Sequence, residues 1–382
     1  MNIKKEKEIS YIKIEKINGQ AFINLICKQF KNQKIIDKRY KILKKSDYIL
    51  FPLIENHELI NLLITTIEKK YNFEILSMMG VININYNQKN LQDALKNLIP
   101  NRFLESIPKS YDSIGNLAII EFNLSEELNN QELNNIKIQI AKAMMAINKC
   151  IISVFEKKSQ IKGTYRLREI NFLYGENKTE AIHRENNCSF KLDVKKTFFS
   201  PRLVYERNRI ATSNIKKNEL IIDLFAGVGP FSIQIAKNHK VKIHAFDISP
   251  YAYYYLKENL KLNKLKGEIF AYNLDVRSLL NPLNDLGKSL RNSVDRIIMN
   301  LPKNSIDFTD LVCFLMKKSG GILHIYQFCE KPDPIEKAIK IVRDQLNYFK
   351  WGIEIITASK IVKAYSPKSD LVVLDIKIKL LD

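Results

Sequence analysis

From residue 220 onward the chain alternates apolar runs with amphipathic ones, and the first apolar run stops in Asp223-Leu-Phe-Ala-Gly-Val-Gly-Pro-Phe231. That combination admits few folds. Alternating strands and helices build a parallel sheet covered on both faces. A glycine turn between the first strand and its helix is needed where backbone must come close to a ligand. The spacing predicts strands at 220–225, 242–248, 268–272, 296–300, 322–328, 353–358 and 371–378. Helices are expected at 230–237, 252–262, 308–317 and 334–348. Too little chain separates the last two strands for a helical crossover, so the final strand is expected to run antiparallel.

The turn itself narrows the ligand. Gly227 and Gly229 supply the close approach, but a dinucleotide fingerprint wants Gly or Ala at position 232, where this chain has Ser232. It would also seat a pyrophosphate on the helix N-terminus. The departure favours a nucleoside cofactor without phosphates. Asp247 ends the second strand, where a carboxylate can accept from both ribose hydroxyls. Asp275 follows the third strand and is a candidate for the adenine amino group. Either acid alone is more often a surface loop carboxylate. Acids at successive strand ends point instead to a site, because ligands bind outside the carboxyl ends of such strands. The fourth strand ends in Asn300-Leu-Pro-Lys303, a turn that in nitrogen-modifying nucleic-acid methyltransferases holds the target atom beside the methyl group. The whole pattern resembles the class I methyltransferases: an α/β, Rossmann-like, doubly wound sheet of seven strands with the last reversed. S-adenosylmethionine is the cofactor this implies.

Two further units are expected ahead of that domain, since 382 residues, 46% of them apolar, can bury more than one core. Residues 1–83 read as a small basic domain, with Lys38-Arg39-Tyr-Lys41 and Lys44-Lys45 before the apolar run Tyr48-Ile-Leu-Phe-Pro52. Helical spacing at 59–71 and an Asn-rich linker at 83–90 follow. Residues 91–194 read as an α+β RNA-binding domain with an antiparallel sheet: helices at 91–98 and 132–146, and strand-like runs near 117–122, 150–155 and 163–174. A bend at Glu185-Asn-Asn187 follows within 180–194. Residues 195–382 remain for the methyltransferase domain. The net charge of +20 makes a polyanion the leading partner, because clustered Lys and Arg displace counterions from phosphates. The same charge could arise from a chain rich in Lys, Ile and Asn throughout.

Five scattered cysteines without a C-x-x-C pair argue against disulfides and against zinc, and His183 with Cys188 lacks the further ligands of a tetrahedral site. No metal is expected. No stretch reaches the eighteen or so uninterrupted apolar residues of a membrane span. A soluble, cytoplasmic protein is the expectation.

Longer segments carry a sharper likeness. Ser110-Tyr-Asp-Ser-Ile-Gly-Asn-Leu-Ala-Ile-Ile-Glu121, Tyr165-Arg-Leu-Arg-Glu169, Gly175-Glu-Asn-Lys-Thr-Glu180 and Phe199-Ser-Pro-Arg-Leu-Val-Tyr-Glu-Arg207 join Asn300-Leu-Pro-Lys303. In these the chain resembles the archaeal and eukaryotic tRNA (guanine-37-N1)-methyltransferases. Asp37-Lys-Arg-Tyr-Lys41 and Asp47-Tyr-Ile-Leu-Phe-Pro52 resemble the small N-terminal domain of the archaeal branch. The resemblance implies tRNA as partner, through its anticodon loop and overall L-shape, and a monomer. Guanine N1 carries a proton, so methylating it needs a base and a cation to steady charge moved toward O6. By motif those roles fall on Glu206 and Arg166. Glu206 could otherwise be an exposed residue of the helix before the first strand, and alternation alone would aim Arg166 and Arg168 at the same face. Phe198, Arg207, Asp247, Asp275 and Asn300 match positions that in the family contact the cofactor or shape its pocket. Phe198 stands where Tyr is usual. Phe225, Ile248, Val276 and Pro302, beside these motifs, complete the candidate cofactor set.

Two relatives in the same fold define the alternatives. One transfers the aminocarboxypropyl group of the same cofactor to a modified guanosine, and the other methylates a tricyclic derivative of that nucleoside. The Asn300 turn and the Glu206 motif argue against the first. A non-catalytic tRNA-binding protein would leave the glycine loop and Glu206 without a purpose.

Overall fold

The computed structural model describes residues 7–30, 34–83, 91–96, 98–104, 106–108, 110–122, 130–159 and 163–381. The chain divides into two compact units, Met1–Lys89 and Asn90–Asp382. No helix among the described residues is long and apolar enough to cross a membrane.

In the first unit β1 (Glu8–Glu15), β2 (Leu43–Lys44), β3 (Tyr48–Pro52) and β4 (Phe73–Met79) form a sheet in the order β2-β3-β1-β4. Every pairing in it is antiparallel. Ile12, Ile14 and Phe51 pack on Phe22 and Ile26 of α1 (Gly19–Gln29) and on Leu63 and Ile67 of α2 (His57–Ile67). Asn56 starts α2 by accepting from the Leu59 amide at 3.1 Å, which satisfies one of the donors a helix N-terminus leaves open. The basic stretch is partly structural: Arg39 donates from Nη2 at 2.6 Å and from Nε at 2.9 Å to the buried Asp37. Of the expected Asn-rich linker, residues 84–90 lie outside the described residues.

The second unit opens with α3 (Leu91–Leu95), β5 (Asp112–Ile114), β6 (Leu117–Ile120), α4 (Asn130–Ile147), β7 (Ser153–Lys157) and β8 (Ile170–Gly175). The sheet order is β5-β6-β7-β8. It is not wholly antiparallel as the sequence suggested. β6 and β7 run parallel, because the 18-residue α4 carries the chain back across the sheet between them. The strand expected at 163–174 begins only at Ile170; residues 163–166 form a turn in which Arg166 has φ of +57°.

A two-stranded hairpin follows, β9 (Glu180–Glu185) and β10 (Cys188–Asp193), turned by Asn186 and Asn187 at φ of +46° and +59°. Its open edge is closed by α7 (Pro250–Leu262): Asn259 Oδ1 accepts from the Lys191 amide at 2.6 Å, and its Nδ2 donates to Lys191 O at 3.1 Å. Phe190 and Leu192 of the hairpin share a core with Ala245 and Leu256. That shared core ties the hairpin to the seven-stranded sheet.

The remaining elements are α5 (Val204–Ala211), β11 (Leu220–Asp223), α6 (Pro230–Asn238), β12 (Lys242–Asp247), β13 (Glu268–Asn273), α8 (Asp285–Leu290), β14 (Arg296–Met299), α9 (Thr309–Leu315), β15 (Gly321–Glu330), α10 (Pro334–Tyr348), β16 (Trp351–Ser366) and β17 (Ser369–Leu380). The seven strands lie in the order β13-β12-β11-β14-β15-β17-β16, with β17 antiparallel to both its neighbours. This is the class I methyltransferase fold. Adjacent residues along each strand serve opposite faces. Ile221, Ile298, Tyr326 and Val373 join Ile210 of α5 and Phe231 of α6, while Ile222, Ile297, Ile325 and Val372 join Leu311 of α9 and Val342 of α10. Strand order reverses between β11 and β14, and the crevice outside their carboxyl ends is where such sheets bind ligands.

Candidate active site

The glycine turn connects β11 to α6, and its two glycines serve different ends. Gly227 has φ of +57°, and a Cβ built there would meet only Phe198 O, at 3.9 Å, so its missing side chain leaves open space. Gly229, at φ of +88°, would drive a Cβ into Leu256 of α7. The first glycine thus makes room for a ligand and the second lets the helix pack.

Asp247 ties the next strand end to this turn. Its Oδ2 accepts from the Gly227 amide and its Oδ1 from the Ser249 amide, both at 2.8 Å. Each oxygen keeps a lone pair for a ribose hydroxyl. Burial pushes the Asp247 carboxyl upward, against those two amide bonds. Beside it Ile248 is exposed, as is Phe198 across the turn, so apolar surface lies open at the cradle. Asp275 is exposed and caps the 3-10 turn Val276–Leu280 through the Arg277 amide at 2.9 Å, with Val276 buried behind it. Phe225 packs edge-on against Phe308 with centroids 4.9 Å apart.

The turn also contains a residue that the sequence reading passed over. Asp223, the last residue of β11, is buried; Oδ2 accepts from Ser232 Oγ at 2.7 Å, while Oδ1 is buried with no hydrogen-bond partner among the described residues. Burial pushes its carboxyl up to about 7. An unpartnered buried acceptor calls for a donor, and the ammonium of an amino-acid ligand is one. Together with the open space at Gly227 and the anchored Asp247, it fits S-adenosylmethionine. The signal was in the sequence: an acid at the last strand position before the glycine turn.

A second, cationic cleft adjoins. Its walls include Asp112, Lys157, Arg166, Arg168, Phe198, Arg202, Lys363 and Tyr365. Arg166 and Arg168 do reach the same cleft, though through a turn instead of strand alternation. Five cations surround one acid. Asp112 pairs with Arg202 at 2.7 Å and Lys157 at 3.0 Å, and these outweigh its burial and hold its carboxyl low. Burial, then Arg202, Arg168 and Lys157 nearby, push Lys363 down, and burial does the same to Arg166. Such a surplus of positive charge in a partly dry cleft suits an anion. Lys363 and Tyr365 come from the last hairpin, far from the other walls in sequence, and no local pattern marks them.

Glu206, Arg207 and Asn300 sit around these clefts rather than together in one. Asn300 and Pro302 follow β14; Pro302 O accepts from the Phe328 amide at 3.1 Å, and Phe328 stacks on Tyr365 with centroids 3.9 Å apart. The Asn300 turn therefore leans on the wall of the cationic cleft. Glu206 is buried on α5, with Oε2 2.8 Å from Arg209 Nη2 and Oε1 paired with Lys360. Tyr326 donates to Oε2 at 3.3 Å. Arg207 is buried too, donating to Glu185 and, at 3.1 Å, to Ser200 O, so its guanidinium acts on the wall segment 198–200.

Comparison with known proteins places both matched segments within the second unit. Residues 181–356 match the TRM5/TYW2 methyltransferase domain, and residues 91–179 match the TYW2 N-terminal domain. The chain is 33% identical to the tRNA (guanine(37)-N(1))-methyltransferase Trm5b of Methanocaldococcus jannaschii, over 96% of this chain and 98% of that one. It is also 33% identical to the tRNA(Phe) (4-demethylwyosine(37)-C(7)) aminocarboxypropyltransferase of the same organism, over 70% of this chain and 97% of that one. Among solved structures, aTrm5 in complex with tRNALeu superposes with a TM-score of 0.71 at 30% identity, covering 96% of this chain and 99% of that one.

Proposed function

Because the chain belongs to the TRM5/TYW2 family of S-adenosylmethionine-dependent methyltransferases, we propose that it methylates N1 of guanosine 37 in tRNA. The observation that supports this reading is the cationic cleft, where Lys157, Arg166, Arg168, Arg202 and Lys363 surround Asp112. Transfer to N1 needs a base, and the family motif assigns that role to Glu206, buried on α5.

S-adenosylmethionine supplies an electrophilic methyl group. Asp223, Gly227 and Asp247 hold it, by the free acceptor, the open cradle and the anchored carboxylate described above. The cationic cleft takes the anticodon-loop backbone, and a loop base leaves its stack at lower cost than a paired one. Asn300 and Pro302 border the place where that base enters. Glu206 would take the N1 proton and so free the N1 lone pair to accept the methyl group that S-adenosylmethionine would supply. Arg166 steadies the charge drawn toward O6. Alignment of the reacting atoms supplies much of the remaining rate.

The aminocarboxypropyltransferase aligns with 70% of this chain, which supports a second reading, alkyl transfer to a modified guanosine. The alignment of a guanine-37-N1 methyltransferase with 96% of it, N-terminal unit included, favours the first. The test is to incubate the protein with unmodified tRNA bearing guanosine 37 and methyl-labelled cofactor, then digest and identify the labelled nucleoside. 1-Methylguanosine is the expected product. Its absence sinks the reading, and labelling of tRNA only by cofactor that carries the label in its aminocarboxypropyl carbons supports the second.

A further inference from the structure

Under the strand ends runs a line of buried ionisable side chains that the reaction above leaves unused. It begins at Glu219, whose Oε2 lies 2.9 Å from Arg296 Nε. Arg296 Nη1 meets His324 Nε2 at 2.8 Å, and His324 Nδ1 lies 2.7 Å from Asp375 Oδ1. The other oxygen of Asp375 pairs with Arg209, which donates from Nη2 at 2.8 Å and Nε at 3.1 Å to Oε2 of Glu206. Arg296, His324, Asp375 and Glu206 are all buried.

The proton order follows from the donors. A guanidinium only donates, so His324 Nε2 accepts from Arg296 and its Nδ1–H donates to Asp375, which makes the imidazole neutral. Burial pushes His324 in that direction, against Asp375. Burial would raise Asp375, but the bonds from His324 and Arg209 outweigh it and hold its carboxyl low. Burial likewise works against the charge of Arg209, and Asp375 and Glu206 overcome it.

Such a line is an expensive way to fill a core, since well-packed apolar residues are often as stable or more so. Placement is what it gains. The two oxygens of Glu206 end up unlike: Oε2 receives Arg209 and Tyr326, whereas Oε1 meets Lys360, a side chain one-third exposed on β16 and 4.9 Å from the Tyr205 ring. We propose that Arg209, fixed in turn by Asp375 and His324, is a positioning residue that holds the Glu206 carboxylate through Oε2 in the orientation from which it takes the guanine N1 proton.

This rests on Glu206 being the base, and the experiment separates the two claims. Single-turnover methyl transfer is measured with saturating cofactor and tRNA for wild type, Glu206→Gln, Arg209→Gln, Arg209→Lys, Asp375→Asn and the double variant Glu206→Gln/Arg209→Gln. The groups facing Glu206 are Arg209 from its own helix, Tyr326 from β15 and Lys360 from β16, with Asp375 and His324 behind Arg209. Arg209→Gln should slow transfer about tenfold or more and leave cofactor and tRNA affinities unchanged. Arg209→Lys should return the rate toward wild type, Asp375→Asn should repeat a smaller slowing, and the double variant should be no slower than Glu206→Gln.

Wild-type rates in the Arg209 and Asp375 variants, with Glu206→Gln inactive, overturn the positioning role alone. A double variant slowed by the product of the single effects also overturns it. Full activity in Glu206→Gln overturns the base and the positioning role together. If Arg209→Gln does not fold, His324→Gln carries the same readouts, because it cuts the line at its neutral link.

Discussion

Arg207 and Glu185 form a buried bidentate pair, with Arg207 Nη2 2.6 Å from Glu185 Oε2 and both side chains almost wholly out of solvent. The guanidinium also lies 4.9 Å from the Phe199 ring and bonds Ser200 O, so it joins β9 to the segment that faces Gly227. Removing one partner strands the other charge. Arg207→Ala should cost roughly 3–5 kcal/mol in urea unfolding at neutral pH. Burial alone would raise Glu185, but His183 and Arg207 outweigh it and depress its carboxyl. The pair's contribution is therefore complete above the unfolded value near 4.3 and lost as pH falls through the lower folded value, and the gap between variant and wild type should close there. Unchanged stability with lost cofactor affinity would instead make Arg207 a direct ligand.

Asp223 sets stability against binding. Its carboxyl, pushed up to about 7 by burial, ionises in the fold well above the unfolded value of about 4. The penalty for the charge grows as pH rises through that window and is complete above 7. Asp223→Asn should raise the thermal midpoint of the cofactor-free protein at pH 8. It should also weaken S-adenosylmethionine binding by roughly 10- to 100-fold, the range for a lost charge-assisted hydrogen bond. Wild-type affinity, measured calorimetrically, should climb from pH 6 to pH 8 while that of the variant stays flat. A pH-independent wild-type affinity would mean that no cation of the cofactor meets this oxygen.

The sheet was legible because its signals are local: the central strands β11 and β14 are buried almost throughout, and the turn at Gly227 and the acids at Asp247 and Asp275 lie within or just past single strands. The last hairpin was longer than its apolar stretches suggested. β16 runs to Ser366 through register shifts and polar residues such as Lys360 and Lys363, which break the period-two pattern that reveals a strand. Those same residues border the candidate site. Lys363 enters the cationic cleft and Lys360 meets Glu206 only because β17 inserts beside β15, a pairing between distant segments that no window of sequence contains. The parallel pairing of β6 and β7 was hidden for a related reason, since each strand is short and α4 decides their sense.

The two glycines of the turn should fail differently. Gly227→Ala puts a methyl into open space at a left-handed φ, a strain of about 1–2 kcal/mol. The variant should fold and lose cofactor affinity. Gly229→Ala places its methyl against Leu256 and Ile233 within the packed core, so the loss should appear first in the thermal midpoint. Cofactor titration and thermal unfolding of both variants check this, and equal defects in both assays would remove the distinction.

Within the cationic cleft, charge that holds RNA should be separable from charge that serves the reaction. Arg202 is half exposed and already shares Asp112, while Lys363 is crowded by Arg202, Arg168 and Lys157, so an arriving phosphate relieves repulsion at both. Arg202→Ala and Lys363→Met should each weaken tRNA binding and lower the slope of log affinity against log salt by about one. Arg166 is half-buried in a left-handed turn and makes no ion pair with a carboxylate among the described residues. Its donors can meet a carbonyl oxygen whose charge grows during transfer. Arg166→Ala should therefore cut the single-turnover rate by roughly 100-fold while the salt slope changes little. A variant that keeps its rate and loses one unit of slope would make Arg166 a phosphate contact and leave O6 to another donor.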